Sequence, residues 1–62
     1  MRYKLNDKCT SWVAADLINM SEHTGRRWLR KLRLAKKYKP QEPVSVGEFL
    51  AFFHWSSKLV DI

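Results

Sequence analysis

The sequence predicts an all-α domain, or a mainly α one with a minimal wing: a compact three-helix helix-turn-helix unit. Three observations carry that expectation. Apolar residues Trp28, Leu29, Leu32 and Ala35 recur at spacings of three and four, the period of one helix face. Capping residues stand before three separate apolar stretches: Thr10 or Ser11, then Ser21, then Ser45 with Glu48 three positions on. A chain of 62 residues with one cysteine has no internal disulfide and room for one small core, so close packing of a few helices must hold it.

Residues 1–9 are polar and short. Tyr3 and Leu5 alternate with charged neighbours, so this segment is expected to be an N-terminal arm or a short strand. The domain proper is expected over residues 10–56. Its first helix spans residues 12–18, and Trp12, Val13, Ala14 or Ala15, Leu17 and Ile18 suggest a short helix largely surrounded by core. Asn19 tolerates the left-handed backbone that stops a helix. Met20 is expected to point inward from the turn.

Ser21 caps the second helix by accepting from the backbone N–H of residue 23 or 24. That helix runs from residue 22 to about 35 or 37, with Trp28, Leu29, Leu32 and Ala35 inward. Pro40 and Pro43 then break the helical pattern, so residues 38–45 form a connector, with a small wing or hairpin as one option. Ser45-Val46-Gly47-Glu48 matches the S-x-x-E capping box and opens a third helix over residues 46 to about 56. Phe49, Leu50, Phe52, Phe53 and Trp55 should bury most of its surface against the first two helices. Trp12, Trp28 and Trp55 are expected as core anchors, and residues 57–62 as a C-terminal tail.

The formal charge is +6, and its placement says more than its size. Arg26, Arg27, Arg30, Lys31, Arg33, Lys36, Lys37 and Lys39 follow one another with no acid between them, which marks an electrostatic footprint for a polyanion. The exposed positions at the start of the second helix, Glu22, His23, Arg26 and Arg27, are the candidates for contact near base edges in a major groove. Ser21, Thr24, Arg30, Lys31, Arg33, Lys36 and Lys37 are the candidates for phosphate contact, which positions a protein but carries little sequence information.

Other chemistries are poorly supported. There is no paired-carboxylate site, phosphate loop or nucleophile–base pair, so the chain is read as no enzyme. Cys9, His23 and His54 are single and far apart, so neither a metal nor any other cofactor is expected. No apolar run approaches the ~20 residues that span a bilayer. The lone cysteine points to a reducing, cytoplasmic compartment. The chain starts at Met1 and shows no signal-peptide pattern, so it reads as a complete small protein.

With these residues in view, the chain resembles helix-turn-helix regulators of phage and mobile-element type. Ala15, Ile18, Ser21, Thr24 and Trp28 fall where that motif commonly has alanine, an aliphatic, serine, threonine and tryptophan. Arg27-Trp28-Leu29-Arg30, the proline-containing connector, Val44-Ser45-Val46 and Glu48-Phe49-Leu50-Ala51-Phe52 are similar in order to excisionase and MerR-like winged-helix DNA-binding domains. The resemblance covers about residues 10 to 55. Three features depart from it. Gly25 replaces a core aliphatic, which either permits a tight approach of helices or signals a different start to the second helix. Asn19 replaces the usual turn glycine. The connector is short and lacks a glycine-rich basic tip.

The expected function is sequence-specific binding of double-stranded DNA by a small phage or mobile-element regulator, a repressor acting by operator occupancy. Since one such motif reads few base pairs, a homodimer or cooperative array on DNA is expected. One alternative is an excisionase-like architectural factor that bends DNA and directs a recombinase partner. Another is a protein-interaction inhibitor that keeps the helix-turn-helix fold.

Overall fold

The computed structural model describes residues 2–60, and side chains through Ser57. Three α-helices follow one another: α1 (Ser11–Ile18), α2 (Glu22–Ala35) and α3 (Val46–Val60). Among the described residues there is no strand, so the all-α expectation stands and residues 38–45 form no wing. The only pairing of extended backbone among these residues is an antiparallel bridge between Lys8 and Ser45.

Local chemistry sets the helix ends. The Thr10 side chain caps α1 by accepting from Val13 N–H at 3.3 Å. Asn19 stops α1 in the left-handed region, at φ 56° and ψ 49°, as its residue type suggests. Ser21 caps α2 by accepting from Thr24 N–H at 3.3 Å. At the far end Lys37 is left-handed, with φ 59°. Its N–H reaches Leu34 C=O, and Tyr38 N–H reaches Arg33 C=O. That pair of bonds is a Schellman stop, with lysine where glycine is the usual residue.

The start of α3 is closed by a distant segment. Ser45 Oγ accepts from Glu48 N–H, as the capping box predicts. Val46 N–H donates to Asp7 C=O at 2.9 Å, and Gly47 N–H to Leu5 C=O at 2.8 Å. The first donors of α3, which a helix leaves unsatisfied, therefore end on the N-terminal segment. Cys9 N–H donates to Val44 C=O at 2.7 Å in the same seam. Residues 2–9 are thus a tied strap rather than an arm. Tyr3 OH adds a bond to Asp16 of α1 at 3.0 Å.

The core consists of Cys9, Ala14, Leu29, Leu32, Val44, Val46 and Phe49, all buried, with Val13, Leu17, Ile18, Trp28, Leu50 and Phe52 packed around them. α1 and α2 meet where Ser11 and Ala15 face Gly25. A Cβ built on Gly25 would lie 2.6 Å from Ser11 O and 2.7 Å from Ala15 N. Gly25 therefore serves the close approach, and α2 begins where its cap predicts.

Several side chains lie elsewhere than the sequence suggests. Trp12 is 72 % exposed and Trp55 59 % exposed, so Trp28 is the one tryptophan packed on the core. In α1 the small Ala14 and Ala15 take the buried side, and Trp12 is turned outward. Met20 is exposed, because the turn leaves the body after Asn19. Ala35 is exposed at the edge of the α2–α3 crossing. α3 extends to Val60, so residues 57–60 are helical where a tail was expected. The tail expectation for residues 61 and 62 lies outside the described residues. Phe52 and Phe53 pack edge-on against Trp28, but Trp55 meets only the flank of Phe52 at a 6.4 Å centroid distance.

Candidate nucleic-acid interface

α2 buries Gly25, Leu29 and Leu32 along one side. At 3.6 residues per turn the opposite side carries His23, Arg27, Arg30 and Leu34. All four are exposed, Leu34 by 70 %. The structure thus brings two candidate base readers, His23 and Arg27, into one outward stripe with Arg30, assigned by sequence to phosphate. Leu34 is an apolar member that sequence reading overlooked. Its helical phase, one turn beyond Arg30, was the available signal.

The remaining candidates are divided by their partners. Glu22 is mostly covered and pairs with Arg26, whose Nη2 lies 2.7 Å from its carboxylate. The i, i+4 order with the acid first is the favourable one on a helix, although such exposed pairs contribute only about 0.3–0.5 kcal/mol. Glu22 is therefore a helix-start carboxylate holding an arginine, placed at the edge of the stripe rather than on it. Lys31 Nζ sits 4.8 Å from the Trp28 ring centre, so its ammonium covers the tryptophan face. Ser21 and Thr24 bond each other through their hydroxyls at 3.0 Å, in the cap.

The end of the basic run is partly neutralised by Glu48, an acid distant in sequence. Lys36 Nζ donates to Glu48 Oε2 at 2.9 Å. Tyr38 OH donates to the same oxygen. The Tyr38 hydrogen bond is the main reason the Glu48 carboxyl is held below its ordinary value, with the Lys36 bond and charge adding to it against partial burial. The same bond raises the Tyr38 hydroxyl. Arg33 Nε donates to Glu42 C=O at 2.9 Å and so fastens α2 to the connector. Lys36 is consequently a tie between α2 and α3, whereas Lys37 is exposed just past the helix end. Among the described residues, Arg27, Arg30 and Lys37 take part in no ion pair.

Beside the stripe the surface is concave. Arg26 and Arg33 form a ridge between two shallow hollows of about 450 and 420 Å³, and Gln41 of the connector borders both. Tyr38 and Pro40 wall the first, and Lys8 and Ser11 wall the second. Sequence reading assigned no role to Lys8 or Gln41, since neither lies on α2. Among the described residues no three His, Cys, Asp or Glu side chains gather into a metal-ligating group. No described helix is long and apolar enough to cross a membrane. Cys9 is buried, and burial pushes its thiol up to about 11.

No family model matches this chain, and neither the curated proteins nor the solved structures contain a significant match to it.

Proposed function

We propose that this chain is a sequence-specific double-stranded DNA-binding protein, a small transcriptional regulator that represses by occupying its operator. The observation that carries the reading is the outward stripe His23, Arg27, Arg30 and Leu34 on a helix whose opposite side is core. An α-helix with its side chains is about 10–12 Å across, and the major groove of B-form DNA is about 12 Å wide. A helix seated there presents its outward stripe to base edges. Arg27 and Arg30 are then the base-facing cations, since arginine pairs bidentately with guanine, and Leu34 offers apolar contact to a thymine methyl. Arg26, held by Glu22, stands at the stripe's edge. Lys37, past the helix end, meets phosphate.

One such helix covers only a few base pairs, so useful specificity calls for a homodimer or cooperative array on repeated half-sites. Ala35, Ala51, Phe52 and Trp55, with Lys36 beside them, border a shallow, mostly apolar hollow on the flank away from the Arg26–Arg33 ridge, and that is the surface left for a second copy.

Selection of bound sequences from random duplexes tests the proposal directly. A recurring motif is expected. Binding to generic duplex should weaken with salt at a log–log slope near −5, for roughly six phosphate contacts. No measurable duplex binding at low salt would overturn it.

A further inference from the structure

In a major-groove helix the outward stripe faces bases, and each flank of the helix faces one sugar–phosphate wall. The two flanks of α2 differ. On one, Lys31 lies over Trp28, and the neighbouring hollow is mostly apolar, its one cation, Lys36, being tied to Glu48. On the other, the Arg26–Arg33 ridge is joined by the strap and the connector, which carry Lys8 and Gln41 to the same place. Four cations from two separated segments of chain line these hollows: Lys8, Arg26, Arg33 and Arg30, the last shared with the outward stripe. Among the described residues no carboxylate lines either hollow. Glu22 pairs with Arg26, and Glu42 turns its carboxylate to Lys39 N–H.

Three details make this more than a charged surface. Arg33 uses Nε on Glu42 C=O, which holds the guanidinium in place and leaves its terminal nitrogens as donors. Gln41 is held in the left-handed region at φ 66°, within a connector pinned by that same bond and by Lys39 N–H to Glu42. The backbone seam between Cys9 and Val44 holds the Lys8 segment against the connector at a fixed distance.

We propose that this concavity is a phosphodiester track: one backbone strand of duplex DNA runs along it, gripped by Lys8, Arg33 and Gln41, while Arg27 and Arg30 face the bases. The inference rests on the DNA-binding reading and adds to it the strap and the connector, both outside the helix-turn-helix itself. The principal anchor of the protein on DNA is then this flank, rather than the lysines at the end of α2, one of which is tied to Glu48.

The test is a salt titration of duplex affinity for the full chain and three variants. Lys8→Ala should weaken binding to every duplex alike and make the log–log salt slope shallower by about 0.9, the loss of one phosphate contact. Gln41→Gly keeps the left-handed backbone and removes only the amide, so affinity should drop several-fold, up to about tenfold, with the slope unchanged. Lys4→Ala, on the same strap but outside the concavity, should change neither. If the unaltered protein binds duplex DNA and Lys8→Ala leaves the slope intact, or Lys4→Ala matches it, the track is wrong and the DNA-binding reading survives. If the unaltered protein binds no duplex, both fall.

Discussion

Gly25 and Ala15 face each other across the α1–α2 crossing so closely that a Cβ on Gly25 would lie 2.7 Å from the Ala15 backbone nitrogen. The turn at residues 19–21 is short, so α2 leaves α1 while still in contact with it, and only a hydrogen at position 25 lets the backbones meet. Two effects compete when that hydrogen is replaced. Alanine is favoured over glycine inside a helix by about 1 kcal/mol. The clash is with backbone atoms, including Ser11 O at 2.6 Å, and overpacking of this kind costs about 1–3 kcal/mol or more. Gly25→Ala is therefore expected to destabilise by about 1–2 kcal/mol net, read by denaturant or thermal unfolding. A more stable variant would refute the crossing.

Lys37→Gly is expected to act in the opposite direction. A non-glycine residue in the left-handed region costs roughly 1–2 kcal/mol, whereas glycine adds about 0.5–1 kcal/mol of unfolded-chain entropy. With φ 59° at Lys37, the balance favours glycine by about 0.5–1 kcal/mol. Thermal melts in high salt separate this backbone gain from the change in charge. A lower melting temperature there would contradict the Schellman stop.

The tie from Lys36 and Tyr38 to Glu48 makes stability sensitive to acid. The folded state holds Glu48 below its ordinary value of 4.5, so its contribution is complete above that pH and is lost as pH falls through the lowered value. Tyr38 has the reverse sign. Its hydroxyl is raised above 10.0, so its contribution is complete below that pH and is lost as pH rises through the raised value. Melting temperature should fall more steeply below pH 4.5 for the unaltered chain than for Glu48→Gln, and more steeply than for Tyr38→Phe. Three parallel curves would remove the tie from the account.

Cys9 should react slowly with alkylating reagents near neutral pH. It is buried at the strap–connector seam, and a thiol raised to about 11 has little thiolate. Denaturant should restore ordinary reactivity. Fast labelling of the folded protein would mean that the seam opens readily, and the Lys8 segment would then be no fixed wall.

Within the DNA-binding proposal, Arg27→Ala and Arg30→Ala should weaken binding to a selected sequence more than to generic duplex, with about 1–3 kcal/mol of lost discrimination each. Lys36→Ala should chiefly lower stability, because its ammonium is already held by Glu48 at 2.9 Å. A uniform loss at all three positions would remove the distinction between reading and tying.

Much of this was legible in the chain because it is local. Thr10, Ser21 and Ser45 cap the helices they precede, and Asn19 takes the left-handed stop its side chain tolerates. Leu29 and Leu32 are buried as their spacing requires. Such features depend on residues within one turn of each other, so sequence order states them. The acidless basic run was equally plain.

Which cations remain free was not legible. Glu48 meets Lys36 from the start of another helix, and Glu42 meets Arg33 through its carbonyl rather than its carboxylate. Nor does periodicity tell a core tryptophan from an exposed one. Trp12 and Trp55 are as apolar as Trp28, but the alanines of α1 take the buried side and α3 is longer than expected. The strap is the largest case. Leu5 and Asp7 satisfy the first N–H groups of α3 by backbone carbonyls, which every residue type has, so no side-chain pattern announces it. The sequence by itself determined three helices, their caps and a basic second helix, because capping and helical period are short-range physics. Only the tertiary structure decided that the α2 face carrying His23, Arg27, Arg30 and Leu34 stays uncovered and that Lys8 and Gln41 border it, because those placements depend on chain segments that meet only when the core closes.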